Sequence, residues 1–314
     1  MPSNQEVTMD GESSGTERRT WRYWPMRTLI LNRRYRHPGA YVGQRVLAAL
    51  AALVMVLLLG APLRAQPATP VDHAAFDALL RRHVSNGFVD YDAFARAPEF
   101  AAYLALLDRV RPDALSEDDR LAYWINVYNA YTIQLVVSHH ETESIRNINR
   151  TLGVLRLKGP WSEPLVRAGG RRLTLDDVHH VMLRKAFSEP RLHFALACGA
   201  IGCAPLRSEA YTGAKLVEQL DDQARTFLRN SPTKNVIDKR PVRLSAVLLA
   251  YRSDFGPARE DLGRALAPYF EGDTKVMLAK GRFGTQEMPF DWTLNSLAHV
   301  PKPLPARGAT DTAR

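Results

Sequence analysis

The stretch that most constrains this chain is RLHFALACGAIGCAPL, residues 191–206. A short apolar run, residues 192–197, leads into a glycine-containing loop that holds the only two cysteines of the chain, Cys198 and Cys203. The run suits a buried strand, although a buried helical segment of this length would show the same pattern. Reactive side chains on a loop beside a rigid buried element are a common arrangement for binding or catalysis.

The two cysteines leave two interpretations open. As a disulfide they would close a short loop, which by the loop-length relation stabilises a fold by about 2 kcal/mol. Their spacing differs from the Cys-x-x-Cys of disulfide oxidoreductases, so a structural bridge is favoured over redox catalysis. As free thiols they could instead supply a nucleophile or bind a metal.

The beginning of the chain has the pattern of an export leader. A basic segment, residues 1–45, precedes the uncharged apolar stretch 46–63, and Ala65 marks a candidate cleavage point. The stretch fits a signal peptide and is also close to the length that spans a bilayer. Both interpretations put the chain from about residue 70 outside the cytoplasm, either secreted to a periplasmic or other extracytoplasmic space or anchored by an N-terminal transmembrane helix.

The positive charge is unevenly distributed. The chain carries a net charge of +9, and residues 1–65 hold nine arginines and four acidic residues, a net +5, which leaves +4 for the rest. A strongly basic folded part is therefore absent, and no nucleic-acid partner is predicted. The predicted organisation is a basic, disordered segment (1–45), a leader or anchor (46–65), a linker (66–72), one folded domain (73–300) and a disordered tail (301–314).

Apolar spacing predicts helices over most of the folded part. The third of them, residues 117–137, contains Asn126 and Asn129, which are three apart and share a face. Asparagine is unfavourable inside a helix, so both are predicted to be buried amides that bind either neighbouring backbone or a ligand. The predicted helices are 76–84, 100–110, 117–137, 174–187, 216–228 and 262–270, and residues 242–251 fit a strand or a buried helix.

The helix predicted at 174–187 carries a polar stripe. Thr174 can cap its start, and Asp176, His180 and Arg184 follow at intervals of four. A carboxylate one turn from a histidine can fix the tautomer of the imidazole and raise its basicity. A solvated polar face has the same pattern, and His179 is an equally good candidate for a functional imidazole.

Several stretches together resemble one family, the DUF547 domain, which has no assigned function. They follow the family's order across about residues 73–296. The resemblance implies an α+β fold, a mainly helical single domain with a small sheet, and it implies no established reaction. The chain departs from the family pattern at His179-His180, where Glu-His is usual, and after Cys203, where Ala replaces Pro. The matching stretches are YWINVYNA (123–130), LDDVHH (175–180) with Leu183-Arg184, RLHFALACGAIGCAPL (191–206), SDF (253–255) and FDWTLN (290–295).

One hypothesis is a thiol hydrolase or acyl transferase that acts on peptide or cell-envelope material. Cys203 would be the nucleophile, with His180 or His193 as its base and Asp176 or Asp291 orienting that base. Backbone N–H groups of the glycine loop, or an asparagine amide, would stabilise the oxyanion.

Two alternatives need no catalysis. An exported protein would usually oxidise two neighbouring cysteines, which gives a binding domain with a structural disulfide and a pocket that includes Trp161 and Trp292. The ligand types of Cys198, Cys203 and His193, with His180, also suit zinc, although their spacing matches no zinc motif. Phosphate-loop and dinucleotide motifs are absent, and no cofactor is predicted. The predicted ligand-binding residues are Asn126, Asn129, Trp124, Arg184, Cys198 and Asp291.

Overall fold

The computed structural model describes residues 69–149, 159–231, 233–281 and 283–300, together with Leu47 and Leu50. The chain divides into two compact units, Met1–Arg64 and Ala65–Arg314. In the first unit, Leu47 and Leu50 are helical and exposed. The predicted basic segment, the tail and the leader apart from these two leucines lie outside the described residues. Among the residues described, no helix is both long and apolar enough to cross a membrane.

The second unit is mainly helical with small sheets, which agrees with the predicted α+β class. Its described strands form three two-stranded sheets, of which β1–β2 and β3–β4 are antiparallel and β5–β6 is parallel. The elements are α1 (Ala74–His83), β1 (Val84–Ser85), β2 (Phe88–Val89), α2 (Tyr91–Arg96), α3 (Pro98–Arg109), α4 (Glu117–His139), β3 (Val166–Ala168), β4 (Arg171–Leu173), α5 (Leu175–Asp177) with a π-helical continuation (Val178–Arg184), α6 (Leu192–Ala195), α7 (Leu216–Arg229), β5 (Val242–Leu244), α8 (Ala246–Ala250), α9 (Asp261–Leu266), α10 (Gly272–Lys280) and β6 (Thr285–Glu287). Short 3₁₀ helices are Pro112–Ala114, Ile145–Asn147, Pro160–Ser162, Gly213–Lys215, Arg252–Phe255, Ala267–Tyr269 and Leu297–His299.

Helix α4 is the centre of the larger core. Ser116 caps its start by accepting the backbone N–H of Asp119, and His140 ends it in the left-handed conformation at φ 50°. Between these ends the helix is buried on nearly every side, as expected for a helix that is apolar all round. It packs against α2, β3 and the π-helical segment, so the side chains of that segment are positioned from a rigid base.

A smaller core packs around α7 and the segments that follow it. Phe194, on α6, belongs to this second core, whereas its neighbours Leu192 and Ala195 belong to the first. The run at 192–197 therefore forms a short helix between two cores, with extended backbone only from Leu196. The strand interpretation of this run is wrong and its helical alternative is confirmed, because a short apolar run is buried on all sides in either conformation.

Two other sequence predictions gain detail. The predicted cap of the 174–187 helix forms a full capping box, in which Thr174 and Asp177 each accept the other's backbone N–H. Most of that helix is then π-helical rather than α-helical. Residues 242–251 contain both predicted structures, since β5 ends and α8 begins at Ser245, whose side chain accepts the N–H of Leu248.

Candidate functional site

A cavity of about 470 Å³ lies where the π-helical segment, α6, the cysteine loop and α8 meet. Its wall contains all four residues predicted to be catalytic, Cys203, His180, His193 and Asp176, and also Cys198. These residues are spread over 28 positions of sequence, and the fold brings them to one surface. Another cavity, of about 520 Å³ beside β5, contains none of the predicted site residues.

Cys198 and Cys203 are joined by a disulfide in the wall of this cavity, with Cα atoms 5.8 Å apart. Cys203 is buried, with 5% of its surface exposed, and Cys198 is half-buried. Gly199 turns the loop at φ +87°, where a Cβ atom would lie 2.6 Å from Cδ1 of Ile145. In this oxidised state neither cysteine has a thiol, so the cysteines are arranged as in the structural-disulfide alternative.

The cysteine loop is also held by the backbone of the segment that follows β6. Ile201 donates its N–H to the carbonyl of Thr293, and Gly202 donates to that of Asp291, both at 2.8 Å. The N–H of Cys203 donates to the carbonyl of Ala200 at 3.1 Å. These three N–H groups are therefore not free to bind an oxyanion, which removes the source of stabilisation expected from this part of the loop.

His193 is a buried imidazole held by a carboxylate that the spacing argument did not identify. Its Nε2 lies 2.8 Å from Oδ2 of Asp254, and its ring lies parallel to that of Tyr251 at 4.4 Å. Hydrogen bonds from Arg184 hold the pKa of Asp254 down at about 2, so the carboxylate is the acceptor. Burial lowers the pKa of His193 to about 4. At neutral pH His193 therefore carries its proton on Nε2 and a lone pair on Nδ1.

Arg184 connects Asp254 to His180, one member of the histidine pair His179-His180. Its Nε and Nη2 donate to the two carboxylate oxygens of Asp254 at 2.6 and 2.7 Å, and its guanidinium lies 4.7 Å from the ring centre of Tyr251. Its Nη1 lies 3.1 Å from Nδ1 of His180. A guanidinium can only donate, so His180 accepts at Nδ1 and carries its proton on Nε2. Arg184 thus fixes one histidine directly and the other through Asp254.

The stripe predicted on this helix is not a hydrogen-bonded chain. Asp176 accepts a hydrogen bond from the hydroxyl of Ser162 at 2.6 Å, and His180 pairs with Arg184. Asp176 lies on α5, before the π-helical segment begins at Val178, whereas His180 and Arg184 both lie within that segment. The orienting carboxylate for a histidine is Asp254, and neither Asp176 nor Asp291 has that contact.

Two cavity-lining residues have a buried polar nitrogen with no partner among the described residues. They are Nε2 of His179 and Nε1 of Trp161. The ring of His179 stacks on that of His180 at 4.4 Å and meets those of Tyr128 and Tyr251 edge-on. Burial, aided by the two neighbouring imidazoles, lowers the pKa of His179 to about 3. Buried polar atoms are nearly always paired, so these two nitrogens indicate where a ligand or water would bind.

Three residues predicted to bind a ligand lie in the core instead. Asn126 donates to the carbonyl of Tyr211 at 2.8 Å and accepts its N–H at 3.0 Å. Asn129 donates to the carbonyl of Ala195 and accepts the N–H of Ala197, both at 2.9 Å. Of the two predicted roles for these amides, binding to neighbouring backbone is therefore the one observed. Trp124 is also buried, with its ring edge-on to that of Tyr123, and none of the three lines the cavity.

The segment after β6 forms the mouth of the cavity. Trp292 is 37% exposed, and its ring lies 4.3 Å from that of Phe290, centre to centre, at a tilt of 50°. The guanidinium of Arg146 lies 4.9 Å from the centre of the Trp292 ring. The ring of Trp161 is 6.4 Å away. The carboxylate of Asp291 accepts the N–H of Thr293 at 2.9 Å and does not line this cavity.

The predicted zinc ligands do not form a metal site. Both cysteines are in the disulfide, and within the described ranges no group of three or more His, Cys, Asp or Glu side chains is arranged to hold a metal ion. The zinc alternative has no support from this geometry.

The spacing argument missed Asp254, Tyr251 and Glu287, of which Tyr251 and Glu287 line the cavity. The signal for Asp254 was present, because SDF at 253–255 is one of the stretches on which the family resemblance rests. A charged residue inside such a stretch, 61 positions from His193, could have been proposed as its partner.

Comparison with known proteins agrees with the resemblance seen in the sequence. Residues 112–228 match the family model described as protein of unknown function, DUF547. The matched range contains α4, the histidine pair, the cysteine loop and most of α7, and the stretches at 253–255 and 290–295 lie beyond it. No curated protein and no solved structure matches the chain. Residues 112–228 are therefore similar to the DUF547 family, whose activity is not established.

Proposed function

We propose that this domain binds a peptide-like ligand, an amide with apolar or basic side chains, in the cavity between the histidine pair and the cysteine loop. The observation that carries the proposal is a pair of buried nitrogens, Trp161 Nε1 and His179 Nε2, that have no hydrogen-bond partner in the described part of the chain. A buried polar group without a partner costs about 1–3 kcal/mol. An indole N–H can only donate, so its natural partner is an acceptor such as an amide carbonyl.

The charges of the wall favour a neutral or cationic ligand. Asp176 and Glu287 line the cavity, and none of its described lining residues is a lysine or arginine. The guanidinium of Arg184, which contacts His180 and Tyr251 of the wall, is paired with the carboxylate of Asp254. Among the described residues of this wall, an anionic ligand would meet two carboxylates and no unpaired cation.

The remaining wall suits the apolar part of a peptide. Tyr128, Tyr251, Phe290 and Trp292 contribute aromatic surface, and the volume of about 470 Å³ lies in the range of ordinary small-molecule sites. Trp292 is partly exposed at the mouth, where an aromatic ring can contact a ligand that extends outward.

The proposal includes a location outside the cytoplasm, with the domain either secreted or anchored by residues 46–63. It is supported by the basic flank and apolar stretch of the leader. The Cys198–Cys203 disulfide supports it as well, because such bonds persist in oxidising compartments. The ligand would then be a free peptide or a peptide part of the cell envelope, and no nucleic acid is expected as a partner.

The test is calorimetric titration of the oxidised full-length chain with the capped dipeptide N-acetyl-alanyl-lysine methylamide. We expect saturable binding, weakened about tenfold in Trp161→Phe, because one hydrogen bond of about 1–1.5 kcal/mol is lost while the ring is kept. Trp124→Phe is the matched control and should bind as wild type. N-acetyl-alanyl-glutamate methylamide should bind more weakly than the lysine compound. Absence of saturable binding, or an unchanged affinity in Trp161→Phe, would overturn the proposal.

A further inference from the structure

We infer that Cys203 is a thiol nucleophile that the Cys198–Cys203 disulfide keeps inactive. Reduction by a dithiol frees Cys203 for acyl transfer from an amide bound in the cavity. The inference rests on the proposed function for its substrate class. It adds an activity that the oxidised protein lacks.

The first support is that the disulfide is not needed to hold its own loop. Ile201 and Gly202 donate to the carbonyls of Thr293 and Asp291, and Asn295 donates to that of Gly199 at 3.2 Å. These bonds fix the loop on both sides of its turn when the sulfurs are separate. A bridge that spans only five positions also adds little by loop closure. A role for the bridge in the cavity, rather than in folding, agrees with both facts.

The second support is the neutral imidazole of His193 on the same cavity wall. Its Nε2–H is held by Asp254, so the lone pair at Nδ1 is the position that can take a proton. The ring cannot easily turn, since it is stacked on Tyr251 and its side chain is 1% exposed. This is the arrangement of a base oriented by a carboxylate, which activates cysteine nucleophiles. Asp254 and Arg184 act here as positioning residues.

The third support is a free donor for the carbonyl oxygen. The N–H groups of Ile201, Gly202 and Cys203 are already used, as are the amides of Asn126 and Asn129. Nε1 of Trp161 is buried, belongs to a residue of the cavity wall and has no partner within the described ranges. The group that would bind the ligand carbonyl in the oxidised protein would then bind the oxyanion in the reduced one.

The opening step is a thiol–disulfide exchange. A thiolate of the dithiol attacks Sγ of Cys198, the more exposed of the two cysteines, and Sγ of Cys203 leaves as the thiolate. The second thiol of the reductant then attacks the mixed disulfide and releases Cys198. Two electrons and two protons pass from the dithiol to the protein, and the reductant leaves as a disulfide.

The acyl-transfer step uses the freed sulfur. Cys203 gives its proton to Nδ1 of His193, and Sγ adds to the carbonyl carbon of the bound amide. The C–N bond breaks, the amine leaves with the proton from the imidazolium, and the acyl group remains as a thioester on Cys203. Attack by water or by another amine releases an acid or a new amide and restores the thiol.

The test uses full-length Cys198→Ser, in which Cys203 is free without a reductant. Its alkylation rate with iodoacetamide is followed by mass spectrometry from pH 5 to 9. We expect half-maximal reactivity at least one pH unit below the value of about 8.5 for an ordinary thiol. His193→Gln in the same background should move the midpoint back toward that value, and Cys203→Ser, which keeps only Cys198, should titrate as an ordinary thiol.

A second readout follows the acyl group. Wild-type chain, oxidised or reduced with dithiothreitol, is mixed with N-acetyl-alanyl-lysine p-nitroanilide. The reduced protein should release p-nitroaniline and gain the acyl mass on Cys203, and the oxidised protein should do neither. An ordinary pH profile in Cys198→Ser, or no acyl adduct on the reduced protein, would overturn the inference.

The failures of the two proposals are distinguishable. If the oxidised protein binds the methylamide and the reduced protein forms no adduct, the thiol inference fails and the binding proposal stands. If Cys203 is activated and the methylamide does not bind, the peptide proposal fails.

Discussion

Removing the charge of Asp254 should lower the free energy of unfolding by about 2–3 kcal/mol. Asp254→Asn keeps the shape of the side chain and replaces one acceptor oxygen by an N–H₂ donor. In one orientation the amide opposes Nη2 of Arg184 with another donor, and in the other it loses both Nε of Arg184 and Nε2 of His193. No orientation keeps all three bonds.

The magnitude follows from the burial of the pair. Breaking a fully buried ion pair costs about 3–5 kcal/mol, and an exposed pair contributes about 0.2–1 kcal/mol. The side chains of Arg184 and Asp254 are 26% and 22% exposed, which puts them between these limits. The additional loss at His193 concerns a buried N–H, whose unpaired state costs about 1–3 kcal/mol.

The assay is urea unfolding at pH 7, read as the free energy of unfolding of wild type and variant. Asp238→Asn, at an exposed position after α7, is the control and should change stability by less than about 0.5 kcal/mol. If Asp254→Asn lies as close to wild type as this control does, the argument that Asp254 holds both His193 and Arg184 is refuted.

Three further predictions concern acid, a core amide and the disulfide. Burial lowers the pKa of both His73 and His193 to about 4, so the unfolded chain takes up protons first as the pH falls below 6.5. The free energy of unfolding should therefore fall by roughly 2 kcal/mol per histidine between pH 7 and pH 5. His73→Gln should reduce this loss, and an equal pH dependence of wild type and variant would contradict the assignment. Asn129→Ala should cost about 2–4 kcal/mol in urea unfolding, because two buried backbone groups of the segment after α6 lose their partner, while peptide affinity below the transition should be retained. Reduction of Cys198–Cys203 should lower the free energy of unfolding by no more than about 2 kcal/mol, and a reduced protein that is unfolded at pH 7 would show that the backbone bonds do not hold the loop.

The sequence predicted the secondary structure around the site well wherever the signal was local. Helix α4 was expected over 117–137 and is observed as Glu117–His139, and the helix cap expected at Thr174 is observed. The cysteine loop and the histidine pair were selected because unusual residue types are concentrated in short stretches. Their meeting in one cavity required the fold.

The errors have physical causes that a linear pattern does not contain. The 192–197 run lies between two cores, so every position is buried and no period distinguishes helix from strand. The helix changes to π-helical winding after Asp177, which the four-residue spacing of the stripe did not predict. Asp254 reaches His193 across 61 positions, a distance at which spacing carries no information. Asn126 and Asn129 were correctly predicted to be buried. Only the structure shows that neighbouring backbone groups bind both the oxygen and the nitrogen of each side-chain amide.

The most direct test of the central claim is the indole N–H resonance of Trp161 in a ¹⁵N-labelled sample of the oxidised protein, assigned by its absence in Trp161→Phe. On titration with N-acetyl-alanyl-lysine methylamide, a carbonyl that binds in the cavity should move this resonance downfield and leave that of the core residue Trp124 in place. If the Trp161 resonance does not move, or both resonances move alike, the cavity does not bind amides in the way described here.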